Sequence, residues 1–126
     1  MADVLYPKFK QDLLNAYLAS ADVRVALMKS TYSYNAAHDF MDDVSTYENG
    51  RSAALASKTF TDGVFDAADT TITATAAAAC NAVIVFLHTG SNATARILAY
   101  IDFSEFTPAA SQVIDCQWNA SGILAV

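Results

Sequence analysis

Apolar residues change their spacing twice along this chain, and the changes divide it into elements. Over residues 7–19, Phe9, Leu13, Leu14, Tyr17 and Leu18 recur at helical spacing, while Lys8, Lys10, Gln11, Asp12 and Asn15 fill the other face. This is the signature of an amphipathic helix, and Pro7 suits its first turn, where a missing N–H costs nothing. Its apolar stripe needs a surface to lie on. After Ser20-Ala21-Asp22 the period becomes two. Val23, Val25 and Leu27 alternate with Arg24, Ala26 and Met28, which predicts a half-buried strand. A second, short helix is expected over residues 36–44, capped by Asn35, with Phe40, Met41 and Val44 on one side and Asp39, Asp42 and Asp43 toward solvent. The pattern weakens over residues 45–57, where Asn49-Gly50 marks a turn, so an exposed loop is expected there.

Beyond Lys58 the pattern is that of antiparallel strands. Thr59-Phe60-Thr61, Asp62-Gly63 and Val64-Phe65 read as a tight hairpin, because Asp-Gly supplies the positive-φ residues that primed turns need. Residues 70–75 alternate Thr with Ile72 and Ala74. Ala82-Val83-Ile84-Val85-Phe86-Leu87 is apolar on both faces, as a covered central strand is, and residues 97–103 pair with it across Gly90-Ser91-Asn92. Residues 113–118 and 123–126 flank Asn119-Ala120-Ser121-Gly122 and are expected to form a last hairpin. Thr75-Ala76-Ala77-Ala78-Ala79 is too short to hold a helix alone and reads as a connection. Residues 103–111 read as a loop whose Phe103 and Phe106 form either a contact surface or a tuck beneath the sheet edge. The expected class is α+β, mainly β: an antiparallel β-sandwich or partly open barrel with an N-terminal amphipathic helix and one short second helix. One domain over residues 1–126 is expected, divided into a helix-strand-helix portion (1–44) and an antiparallel β portion (58–126).

Composition sharpens this picture at one point. Of the 126 residues 54% are hydrophobic, but 25 of those are alanine, so the core is ordinary; what is short is charge, at 16% against about 25% in a typical soluble domain. Seven Lys or Arg against thirteen Asp or Glu give a net charge of −6, which speaks against the clustered cations that phosphate backbones require, so no nucleic-acid partner is expected. No apolar run approaches the about 18 residues of a membrane-spanning helix, so no membrane partner is expected either. The N-terminus shows no basic stretch before an apolar core, which gives an expectation of cytoplasmic synthesis without a secretory signal. Cys80 and Cys116 are the only cysteines and are expected as reduced thiols; neither has a His at zinc-ligand spacing. The Asn92-Ala93-Thr94 and Asn119-Ala120-Ser121 triplets read as turns.

Chemistry finds little to work with. The histidines are His38 and His88; His38-Asp39 cannot act as a base with its orienting carboxylate if both lie on a helix, because adjacent helical residues diverge. No nucleophile elbow, phosphate loop, zinc-protease or dinucleotide motif occurs. Asp62, Asp66 and Asp69 lack the alternate spacing, central Gly and closing Glu of a calcium loop, and read as turn and cap residues. No catalytic residue, cofactor site or metal site is expected. Five of the six tyrosines (Tyr6, Tyr17, Tyr32, Tyr34 and Tyr47) fall in the first 50 residues, where they serve either a core or a protein contact.

Longer blocks carry a resemblance. Leu5-Tyr6-Pro7-Lys8-Phe9-Lys10, the run from Tyr32-Ser33-Tyr34 through His38-Asp39-Phe40-Met41-Asp42-Asp43-Val44, the run from Ser57-Lys58-Thr59-Phe60-Thr61-Asp62-Gly63 through Ala68-Asp69, Leu98-Ala99-Tyr100-Ile101-Asp102 and Gln117-Trp118-Asn119 resemble, in order, a family of small structural proteins of tailed bacteriophages. The sequence departs from that family in its Ala76-Ala77-Ala78-Ala79 tract and its apolar end, Ile123-Leu124-Ala125-Val126. The resemblance implies a virion component without catalytic residues: a capsid decoration or cement protein on the particle surface, made in the host bacterial cytoplasm. Its expected partners are the major capsid protein and further copies of itself, as a dimer or trimer. Two alternatives stand beside it, a tail or head-to-tail joining component and a small carbohydrate-binding β-module stacking sugars on Trp118, Phe103 and Phe106. The expected contact residues are Val4, Leu5, Tyr6 and Phe9 at the N-terminus, Tyr47 and Leu55 in the expected loop, and Phe103 and Phe106.

Overall fold

The computed structural model describes residues 4–126, and in it one α-helix and eight strands follow in the order α1 (Pro7–Leu18), β1 (Val23–Lys29), β2 (Glu48–Arg51), β3 (Val64–Phe65), β4 (Thr70–Thr73), β5 (Cys80–Leu87), β6 (Ile97–Phe106), β7 (Val113–Cys116) and β8 (Leu124–Ala125). The class is the expected α+β, mainly β. A four-stranded sheet of order β2-β1-β5-β6 lies with two ribbons, β3-β8 and β4-β7, and every pairing is antiparallel. The arrangement is sandwich-like, and among the described residues no sheet closes into a barrel.

The two central strands, β1 and β5, are buried on both faces, and this explains the run Val83-Ile84-Val85-Phe86. On one face Ala26, Met28, Ala82, Ile84 and Phe86 pack against Tyr32, Met41, Val44 and Ala95 from the connections. On the other, Val23 and Val85 meet Leu14 and Leu18 of α1 together with Leu55, Phe60, Phe65 and Ile123. Val25, Leu27 and Val83 meet Ile72 of β4 and Ile114 and Cys116 of β7. β1 is thus covered on both sides rather than half-buried, with Ala26 and Met28 as inaccessible as Val25. A strand flanked by two partners and two apolar layers has no wet face to keep polar.

Four expectations need correction. The second helix is absent: the Asn35 side chain accepts from the Ala37 N–H at 2.9 Å, Phe40 is extended and bridges Arg96, and only a single 3-10 turn, Met41–Asp43, remains. The Asp43 carboxylate accepts the Asp39 and Phe40 N–H groups, so short polar side chains have outcompeted helical bonding. The expected loop over residues 45–57 contains β2, with Asn49 and Gly50 buried. The final two strands flank the predicted Asn119–Gly122 turn, closed by Gly122 N–H to Asn119 O at 2.9 Å, yet β7 pairs with β4 and β8 with β3. Phe103 and Phe106 lie within β6 rather than in a loop.

Gly50 shows why β2 escaped the pattern. Its φ is +117°, and a Cβ there would land on the Thr73 carbonyl and the Ile72 side chain, so β2 and β4 approach through a position only glycine fits. The expected 59–65 hairpin is looser than drawn: Thr59 and Asp66 exchange both backbone bonds, at 2.9 and 3.0 Å, around a turn in which Asp62 and Gly63 do adopt positive φ. The Thr75–Ala79 connection is irregular, as expected, and is pinned from below. The buried Asn49 amide donates to Ala76 O at 3.0 Å and accepts from Ala76 N–H and the Thr75 hydroxyl, both at 2.9 Å.

Candidate interaction surfaces

α1 carries two apolar faces. Leu14 and Leu18 enter the core, Leu18 at 2% exposure. Phe9, Leu13 and Tyr17, four residues apart, form a second stripe that faces solvent, and the extended N-cap residue Tyr6 precedes it: Tyr6 is 81% and Tyr17 56% exposed. Val4 and Leu5 continue this surface. The expectation that the whole stripe lies on the fold therefore holds for two of its five residues only. Val4, Leu5, Tyr6 and Phe9 stand exposed as the contact reading requires, joined by Leu13 and Tyr17 of the same stripe. The helix is moored by Lys8, whose Nζ lies 2.9 Å from Asp62 Oδ1, and by Gln11, which accepts the Asp62 N–H at 3.1 Å.

Leu55 is no contact residue. It is 6% exposed, its N–H donates to Val23 O at 2.8 Å, and its side chain joins the core beside Leu18. Tyr47 is half-buried, 5.4 Å from the Tyr32 ring. Around Tyr32 gather Tyr47, Tyr100 at 6.0 Å and the stacked His38 at 5.7 Å, while the exposed Tyr34 meets Tyr100 at 5.9 Å. Tyr32 is thus buried in the core, whereas Tyr6, Tyr17 and Tyr34 are exposed. The Tyr32 hydroxyl shares a 3.0 Å hydrogen bond with His38 Nδ1, and burial pushes its ionisation upward. Asp39 turns instead toward Arg96, 3.9 Å away.

A third surface lies between β6 and the β4-β7 ribbon. A cleft of about 560 Å³ has Leu27, Ile72 and Val83 buried in its floor and Ile101, Ile114 and Cys116 in its walls; Phe103, Phe106 and Trp118 border it, with Asp102, Asp115, Gln117 and Asn119 exposed around it. The Phe103 and Phe106 rings are 5.6 Å apart, with Phe103 37% exposed and Phe106 half-buried. Trp118 is held by its indole N–H on Ala68 O at 3.2 Å and its backbone N–H on Asp69 Oδ1 at 3.0 Å. Desolvation, with the nearby Asp69 charge, pushes the Cys116 thiol up to about 11, so it lines the cleft as a small apolar group. Sequence reasoning missed the cleft because its walls come from strands that pair out of chain order.

Ion pairs occupy part of the remaining surface. Arg51 holds both Glu48 carboxylate oxygens at 2.7 Å and lies 4.8 Å from the centre of the Phe86 ring. Arg24 holds Asp22 by two 3.0 Å bonds, which lower the Asp22 pKa. The Asp62, Asp66 and Asp69 carboxylates are engaged separately, by Lys8, the Ala67 N–H and the Trp118 N–H. Among the described residues no three potential ligands gather to hold a metal ion, and no helix is long and apolar enough to cross a membrane. Cys80 and Cys116 are both free thiols. No family model, curated protein or solved structure matches the chain.

Proposed function

We propose that this protein is a structural component of a tailed-bacteriophage particle, a decoration or cement protein that binds the outer face of the capsid shell. The observation that carries the reading is the solvent-facing stripe of α1. Three large apolar side chains on one helix face, Phe9, Leu13 and Tyr17, followed back along the chain by the exposed Val4, Leu5 and Tyr6, offer apolar surface of the kind that marks association. The resemblance in the sequence blocks gives that surface its expected partner, and a small net negative charge with few surface ions is compatible with dense packing on a shell. Attachment of this kind needs complementary area and many copies.

Quantitative gel analysis of purified particles tests the reading. Copies in the hundreds per particle are the expected result. A handful would move the protein to the tail or the head-to-tail joint, and none would remove the reading. Replacing Phe9 and Tyr17 by serine together should abolish attachment while the free protein melts as before. The carbohydrate-binding alternative predicts instead that Phe103→Ala and Trp118→Ala abolish glycan binding with attachment intact.

A further inference from the structure

The four-stranded sheet ends at β6, its longest strand, which pairs with β5 on one side only. Ile97 N–H donates to Asp39 O; from residue 98 to 106 the backbone makes no hydrogen bond outside the β5 ladder among the described residues. Such an edge presents a row of unpaired donors and acceptors, the template for strand addition. Irregularities interrupt the β5-β6 register near both ends of β6 and leave the stretch from Ala99 to Asp102 regular. The aromatic cleft lies beside this edge, bordered by Ile101, Phe103 and Phe106 of β6 itself. A strand laid along β6 would direct alternate side chains toward the cleft.

Charge selects the occupant. From Ile97 to Val126, the segment that supplies β6, β7 and most of the cleft, the chain carries Asp102, Glu105 and Asp115 and no Lys, Arg or His. A second copy pairing edge to edge would bring Asp102 and Glu105 of β6 toward their own duplicates with no cation from either strand, and inward or edge charges of this kind block self-pairing. A basic strand meets the opposite sign at every charged position. We propose that the free edge of β6, with the acidic-bordered cleft beside it, receives an extended segment of a partner protein in which apolar side chains alternate with lysine or arginine. The inference rests on the reading of the chain as a surface-binding structural protein and names the chemistry of the partner segment.

Hydrogen exchange on the full chain tests it, with an acetylated, amidated peptide of alternating lysine and valine, about eight residues long, as the probe. The expected result is slowed exchange across residues 98–106 and a changed emission of Trp118, the sole tryptophan. The same peptide with glutamate for lysine, or with proline at alternate positions, should do neither. The triple variant Asp102→Asn, Glu105→Gln, Asp115→Asn should bind the lysine peptide about tenfold more weakly at low salt, as expected for the loss of a few exposed charge pairs, with an unchanged far-UV spectrum. Unchanged exchange in β6, protection confined elsewhere, or equal binding of the glutamate peptide would overturn the proposal. Protection of β6 that grows with protein concentration in the absence of peptide would replace it by self-pairing. An emission change without β6 protection would place the peptide at the cleft without strand addition and overturn the proposal. Particles that retain the protein while the peptide fails would remove this interface and leave the capsid reading standing; particles that lack the protein would do the reverse.

Discussion

Asn49 offers the sharpest test of how the sheet and the Thr75–Ala79 connection hold together. Its side chain is fully buried and makes four hydrogen bonds: to Ala76 O, Ala76 N–H, the Thr75 hydroxyl and, more weakly, Cys80 Sγ at 3.4 Å. Asn49→Ala strands both backbone groups of the half-buried Ala76, while the exposed Thr75 hydroxyl can turn to water. A lost bond costs about 1 kcal/mol net and more where the abandoned partner stays buried, so the sum is about 3 kcal/mol. For a domain of this size that lowers Tm by about 12 °C. Asn49→Asp separates hydrogen bonding from packing. Protonated, its carboxyl can donate to Ala76 O as the amide does; ionised, it sets a buried negative charge against that carbonyl. Its folded pKa is therefore raised above the unfolded value of about 3.9. Stability is retained below that pH and lost as pH rises through the folded pKa. Thermal melts of both variants, each referenced to the parent between pH 3.5 and 7, check this. A loss under about 1 kcal/mol for Asn49→Ala, or an Asn49→Asp deficit that does not grow with pH, would refute the reasoning.

Further outcomes follow from the same structure. Gly50→Ala meets both a positive φ and the Thr73 carbonyl, and should cost about 2–4 kcal/mol, read as a fall in the urea midpoint. Phe9→Ser should change stability by less than about 0.5 kcal/mol, whereas Leu18→Ala, on the core side of the same helix, should cost about 2–5 kcal/mol in parallel melts. The thiol of Cys116, pushed by burial up to about 11 from the ordinary 9.0, should be alkylated at pH 8 about a hundredfold more slowly than an unperturbed thiol. Because its folded pKa is raised, its contribution to stability is present below about pH 9 and declines toward 11. Asp22 has a lowered pKa through its Arg24 bonds, but the pair is partly exposed, so Asp22→Asn should cost only about 0.5 kcal/mol at pH 7; the difference should shrink as pH falls below the unfolded carboxylate range.

Elements that bury a periodic apolar pattern were legible in the sequence. α1 and β5 stand where spacing places them, because Leu14, Leu18 and the Val83-Ile84-Val85-Phe86 run have no other way to leave water, while β6 begins where expected but runs on to Phe106. β2 was not legible, since Glu48-Asn49-Gly50-Arg51 contains no apolar residue; its place depends on backbone bonding to β1 and on the space a glycine leaves. The 36–44 segment has helical periodicity, but Asn35 and Asp43 side chains take the backbone groups a helix would use. Pairing order is the other gap: Asn119–Gly122 forms its turn, yet the strands on either side separate because Ile123 N–H finds Phe65 O at 2.7 Å and β7 finds β4. Of the contact residues, Val4, Leu5, Tyr6 and Phe9 are exposed because the helix has a second apolar face, whereas Leu55 is drawn under by a backbone bond that no side-chain pattern encodes.

The pairing of β1 with β5 also governs how the chain must be made. Their register partners, from Val23 with Leu87 to Lys29 with Cys80, lie 64 to 51 residues apart, so the centre of the sheet cannot form until most of the polypeptide exists. Loop closure over that distance precedes any gain from the contact, which places folding toward the slow end of the range for small domains. During the wait Val83-Ile84-Val85-Phe86-Leu87 is an uncharged strand with no gatekeeper inside it, the kind of segment that seeds aggregates. High-level synthesis should therefore yield more soluble protein when translation is slowed or a holdase is present, with the gain arising from the nascent chain rather than from the folded one.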